Sequence, residues 1–135
     1  MDTGRVRRVL VVEDEVDVRR SIAEILTDAG HEVVEAENGK RALTLLSEGT
    51  QPDVVILDLM MPEMSGWQLR TALKADAKLA AIPIIVTTAA RTRAAATIDA
   101  DFRVPKPFTV EALLLALEKA FQLRDGREIA ARTTP

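Results

Sequence analysis

Three short runs of the chain, residues 9–12, 54–57 and 84–86, are apolar at every position and rich in valine and isoleucine. A strand that is apolar on both faces has to be covered on both, which fits a parallel sheet between layers of helices better than a sheet with one face in water. The intervening segments agree with that reading. Residues 16–29 place Val18, Ile22, Ile25, Leu26 and Ala29 at helical spacing and close on Gly30. Residues 31–36 read as a second strand, after which Asn38 and Gly39 open a helix carrying Ala42, Leu43, Leu45 and Leu46, with Gly49 beyond its end. Residues 53–57 form the third strand. Ser65 with Gln68 three residues later has the pattern of a capping box for a helix carrying Leu69, Ala72 and Leu73. Pro83 introduces a fourth strand, residues 84–88, and residues 102–104 predict a short fifth. Thr109 can cap a last helix in which Leu113, Leu114, Leu117, Ala120 and Phe121 face inward, and Asp125 with Gly126 predicts its end. The expected fold class is α/β: a doubly wound five-stranded parallel sheet of order 2-1-3-4-5.

Composition narrows the function classes. At 135 residues with 47% hydrophobic content the chain can bury one core without staples. With 18 Lys+Arg against 21 Asp+Glu there is no basic surplus of the kind that marks a nucleic-acid binder. The local cluster Arg5, Arg7 and Arg8 reads as a solvated N-terminal tail. Absence of cysteine excludes a disulfide framework and Cys-ligated zinc. The apolar runs are far shorter than the roughly 20 residues that span a bilayer, and no secretory signal pattern opens the chain. A soluble, cytoplasmic protein without membrane association is expected.

In an open parallel sheet, chemistry collects at the carboxyl ends of the strands. The residues that leave the strands are Glu13 and Asp14 after the first, Asp58 after the third, Thr88 after the fourth and Lys106 after the fifth. All are polar where the preceding run is apolar, and in the order 2-1-3-4-5 the contributing strands are neighbours. Three carboxylates brought together repel, since two unit charges ~4 Å apart cost about 4 kcal/mol at an effective dielectric near 20. Such a site calls for a cation, and an all-oxygen donor set suits magnesium better than zinc or copper. A carboxylate can also act as a nucleophile and form an aspartyl phosphate, with a lysine and a hydroxyl to meet the phosphoryl oxygens. Taken singly, Asp14 serves equally well as a helix cap, and Lys106 as a surface lysine before a proline. His31 reads as an exposed turn residue and Trp67 as a local packing group. Met60, Met61 and Met64 read as gap-filling side chains.

The strings VLVVEDE at 9–15, DLMMPEMSG at 58–66, PIIVTTA at 83–89 and KPF at 106–108, in this order and each at a strand end, resemble the receiver domain of two-component response regulators. The resemblance covers about residues 6–123. It implies a flavodoxin-like receiver fold for residues 1–126, followed by a C-terminal tail, residues 127–135. It implies that Asp58 is the phosphoacceptor, that Asp14 binds Mg²⁺ directly and Glu13 through water, and that the backbone carbonyl of Met60 adds a further ligand. Thr88 would be the hydroxyl that turns inward on phosphorylation; Thr87 also precedes the Ala-Ala pair, but the count from Pro83 favours Thr88. Lys106 would meet the phosphoryl oxygens, with a cis bond before Pro107.

Such a domain is a switch more than an enzyme. It takes a phosphoryl group from a sensor histidine kinase or phosphotransfer protein in a Mg²⁺-dependent, self-catalysed reaction, and later loses it by hydrolysis. The resemblance places kinase docking around Val16 and Arg20 and at Pro107 and Phe108. Nine residues follow Gly126, too few for a DNA-binding module. Output is therefore expected through a downstream protein target, a homodimer or a module outside this chain, without direct nucleic-acid contact.

Two departures from the family pattern stand out. Thr88 and Lys106 are 18 positions apart, a shorter separation than is usual, so the fourth helix, over residues 91–99, is expected to be short or irregular. The usual aromatic residue three before the lysine is Arg103, and the neighbouring Phe102 points to the other face of its strand. An atypical receiver that binds partners independently of phosphorylation is the alternative this raises. A phosphatase of the haloacid-dehalogenase kind would need a second Asp two residues beyond Asp14, where Val16 stands.

Overall fold

The computed structural model describes residues 6–59, 66–89 and 100–133. Five strands, β1 (Arg8–Val12), β2 (Glu32–Ala36), β3 (Val54–Leu57), β4 (Ile84–Val86) and β5 (Phe102–Arg103), form one parallel sheet in the order β2-β1-β3-β4-β5. The described helices are α1 (Val16–Asp28), α2 (Gly39–Ser47), α3 (Gly66–Lys74), the single turn α4 (Ala77–Ala80) and α5 (Val110–Thr133). The expected fold class and strand order are what is observed.

Alternation along the strands divides the core in two, because successive side chains leave a strand on opposite faces. Leu10, Val12, Val55, Leu57, Ile84 and Val86 pack with Ala42 and Leu46 of α2 and Leu69 and Leu73 of α3. Val9, Val11, Val54, Ile56 and Ile85 pack with Ile22 and Leu26 of α1 and Leu113, Leu117 and Phe121 of α5. Covering both faces is what made these strands continuous apolar runs. At about 25 cal/mol per Å² of apolar surface removed from water, this burial is the main force holding the layers together.

Helix ends follow the expected chemistry where the residues are described. The Asn38 side chain accepts from the Arg41 amide at 2.7 Å, and Thr109 Oγ1 accepts from the Ala112 amide at 3.1 Å. Gly30 and Gly49 close α1 and α2 with φ of +94° and +108°, values that side-chain-bearing residues rarely adopt. Ser65 of the capping box, Arg5, Met60, Met61, Met64 and the short fourth helix expected over residues 91–99 lie outside the described residues.

Three expectations are corrected. α5 does not end at Asp125 and Gly126 but runs to Thr133. Asp125 spends its carboxylate on Arg7 through two hydrogen bonds of 2.8 and 2.7 Å, and Arg127 donates to the Ala81 carbonyl and to Asp101. These contacts hold the helix against the sheet past the glycine. Arg7 is accordingly not part of a solvated tail: it is 4% exposed, with its guanidinium 4.9 Å from the centre of the Phe121 ring. Nor is His31 an exposed turn residue. It is half-buried, with its ring edge-on to Phe121 at 5.0 Å.

Candidate functional site

At the strand exits the hydrogen bonding of the sheet continues past the strands themselves. The Glu13 amide donates to the Ala36 carbonyl at 3.1 Å, the Asp58 amide to Val12 at 3.1 Å, the Thr87 amide to Leu57 at 2.9 Å and the Lys106 amide to Thr88 at 3.1 Å. The loops that carry the chemistry therefore start from backbone fixed by the sheet.

The sheet brings the acidic residues together as expected. Glu13, Asp14 and Asp58 each offer a carboxylate oxygen, and these atoms all lie within 4.8 Å of one another. Glu13 is 1% and Asp58 5% exposed, while Asp14 is half-buried. Lys106 enters from β5 and donates from Nζ to Glu13 Oε1 at 2.5 Å and to Asp58 Oδ2 at 3.5 Å. The Glu15 amide donates to the second Glu13 oxygen at 3.2 Å. Glu15, not Asp14, stands at the cap position of α1, and its side chain makes no cap hydrogen bond.

These surroundings set the protonation balance. Burial, opposed by the Lys106 hydrogen bond and reinforced by the Asp58 charge, pushes the Glu13 carboxyl from 4.5 up to about 7. Burial works against the Lys106 ammonium, but its hydrogen bond to Glu13 and the charges of Asp58 and Glu13 outweigh it and hold its pKa above the usual lysine value. The cleft thus couples a reluctant carboxylate to a firmly charged lysine.

Chemically, this is a pocket of hard oxygen donors with a fixed cation beside the nucleophile candidate, and it could bind a metal ion. Thr88 lies half-buried at the exit of β4, its carbonyl tied to the Lys106 amide, whereas Thr87 is 1% exposed. Phe102 packs with the core beneath α1 and α5, so Arg103 leaves β5 on the other face and is exposed. Met60, whose carbonyl was the fourth candidate ligand, is outside the described residues. One contact had no forerunner in the sequence reading. Arg19 of α1 donates to the Glu13 carbonyl at 2.9 Å, and only its place one turn into a helix that follows the acidic pair could have signalled it.

A family model described as the response regulator receiver domain matches residues 9–118. Among curated relatives, the phosphate regulon transcriptional regulatory protein PhoB of Pseudomonas aeruginosa is 36% identical over 124 residues, an alignment covering 89% of this chain and 53% of the relative. The chemotaxis protein CheY of the same organism is 35% identical over 124 residues, covering 88% of this chain and 99% of the relative. This chain spans about half the length of the first of these relatives. Among solved structures, the signal receiver domain of a signal transduction histidine kinase from Syntrophus aciditrophicus superposes with a TM-score of 0.81 at 29% identity, covering 87% of this chain and 91% of that one.

Proposed function

Because this chain belongs to the response regulator receiver domain family, whose members act as signalling switches, we propose that it accepts a phosphoryl group on Asp58 from a phosphohistidine donor. The observation that carries this reading is the gathering of Glu13, Asp14 and Asp58 within 4.8 Å, with Lys106 3.5 Å from Asp58. In the reaction, an Asp58 carboxylate oxygen forms the new bond to phosphorus while the bond to the donor nitrogen breaks, and the imidazole leaves with the electron pair.

The donor set fits Mg²⁺. Asp14 and Asp58 would hold it directly and Glu13 through water, with the Met60 carbonyl as a further ligand; when bound, it would neutralise charge on the incoming phosphoryl oxygens. The protein's own part is positioning. Lys106 supplies a fixed positive charge for one phosphoryl oxygen, and Thr88 a hydroxyl for another. The partners are then a sensor kinase or phosphotransfer protein upstream and a protein target downstream. Among the described residues no helix is long and apolar enough to cross a membrane.

Incubation with acetyl phosphate and Mg²⁺, followed by intact-mass measurement, tests the proposal. The expected result is a gain of one phosphoryl group that chelation prevents and that Asp58→Ala abolishes. A gain that survives Asp58→Ala, or none in the unaltered protein, would overturn it. A second reading, a module that binds its partner without phosphorylation, draws on Arg103 standing exposed where the family's coupling aromatic is usual. It predicts partner affinity unchanged by beryllofluoride.

A further inference from the structure

Helix α1 begins at Val16, and the Arg19 amide makes an early helical hydrogen bond to the Glu15 carbonyl at 2.9 Å. A basic side chain this close to a helix start usually extends into water, yet that of Arg19 is 12% exposed. It folds back over the turn that joins β1 to α1. One guanidinium nitrogen donates to the Glu13 carbonyl at 2.9 Å, and Nε donates to Glu35 Oε1 at 3.1 Å. Glu35 lies in β2 opposite Val11, two residues before the acidic pair, so the same guanidinium plane ties the turn to the neighbouring strand.

The Glu13 carbonyl belongs to the peptide unit that joins Glu13 to Asp14. Holding that plane fixes ψ of Glu13 and φ of Asp14, and with them the directions in which both carboxylates leave the backbone. The other side of Glu13 is already held, since its amide donates to Ala36. A rigid planar fork meets its two acceptors in a fixed relative geometry, whereas a lysine head is a point charge on a flexible stem that fixes neither direction. Glu35 also balances the Arg19 charge, with the largely exposed Arg20 3.5 Å from the same carboxylate. The cation is thus spent on the scaffold and not on competing with a metal ion for the cleft.

We infer that Arg19, anchored by Glu35, is a positioning residue that sets the Glu13–Asp14 turn for divalent-cation binding. The inference rests on the reading of the cleft given under the proposed function. Groups that orient metal ligands from outside the coordination sphere commonly change affinity by about 10- to 100-fold when removed.

The test is calorimetric titration with MgCl₂, alongside the rate of phosphoryl uptake from acetyl phosphate as Mg²⁺ is raised. Arg19→Gln is expected to weaken Mg²⁺ binding about tenfold, with the uptake rate at saturating Mg²⁺ returning to that of the unaltered protein. Arg19→Lys, which keeps the charge but loses the planar fork, should fall between the two. Glu35→Ala, which leaves Arg19 in place without its anchor, should weaken binding by a smaller factor. Unchanged Mg²⁺ affinity in Arg19→Gln, or an uptake rate that stays low at saturating Mg²⁺, would overturn the inference. If Arg19→Gln does not fold, Glu35→Ala decides, and unchanged affinity there is the contrary result. Failure of the unaltered protein to bind Mg²⁺ would remove the functional reading itself, and the inference with it.

Discussion

Lys106 donates to Glu13 at 2.5 Å and stands farther, at 3.5 Å, from Asp58, so its first partner is a carboxylate that no sequence spacing assigned to it. A lysine placed there repels any divalent ion in the same cleft. Even at an effective dielectric near 20, that repulsion at a few ångströms exceeds ~1.4 kcal/mol, a factor of about ten in binding. Lys106→Met should therefore bind Mg²⁺ about tenfold or more tightly in a calorimetric titration, while taking up phosphoryl groups more slowly. Tighter binding together with an undiminished rate would show that Lys106 does not serve the transfer. Glu13 carries a second prediction. Its carboxyl titrates near 4.5 when unfolded and near 7 when folded, so between those values the unfolded chain has released a proton that the folded protein keeps. The stabilisation from neutral Glu13 is complete below pH 4.5 and is lost as the pH rises through 7. Denaturant unfolding in a chelating buffer should show that loss, and Glu13→Gln should flatten it. The acidic residues and Lys106 were legible individually because each interrupts or follows an apolar run. Their convergence followed from the strand order, but the closer pairing of Lys106 with Glu13 than with Asp58 did not, because it depends on side-chain distances across the cleft.

Helix α5 shows why an element's existence is easier to read than its end. Leu113, Leu117, Ala120 and Phe121 announce it through their spacing, and the structure buries all four. Asp125 followed by Gly126 has the local chemistry of a stop, but local propensity is a weak term. The pairings of Asp125 with Arg7 and of Arg127 with Asp101 outweigh it. The strands were legible for the opposite reason, since burial on both faces leaves a mark on every residue of the run. In β5 the mark is faint, as only Phe102 and Arg103 pair. Glycine inside an exposed helix costs roughly 0.8–1 kcal/mol relative to alanine, and a Cβ at Gly126 would meet nothing within 4 Å. Gly126→Ala should therefore raise the unfolding free energy by about 0.5–1 kcal/mol. A loss of stability in thermal or denaturant unfolding would show that the glycine serves a close approach in this helix.

At the level of the whole molecule, the sheet and its two helical layers were readable from the sequence, whereas their closure by Arg7 and Asp125 was not. The Arg7–Asp125 pair joins residues 118 positions apart and shares Phe121 with His31. Arg7 has 5% side-chain exposure and Asp125 33%, so the pair is worth less than a fully buried one. Asp125→Ala should cost about 2 kcal/mol, discounted from the roughly 3–5 kcal/mol of breaking a fully buried pair. Arg7→Ala combined with Asp125→Ala should cost less than the sum of the two, as a double-mutant cycle would measure. Strict additivity would show that the two side chains do not act on each other. The span of this pair also bears on biosynthesis. A nascent chain emerging from the ribosome presents Arg7, just before the first strand, before the carboxylate that matches it exists. The domain can then reach its full stability only once its final helix has cleared the exit tunnel, which makes consolidation a late event relative to translation.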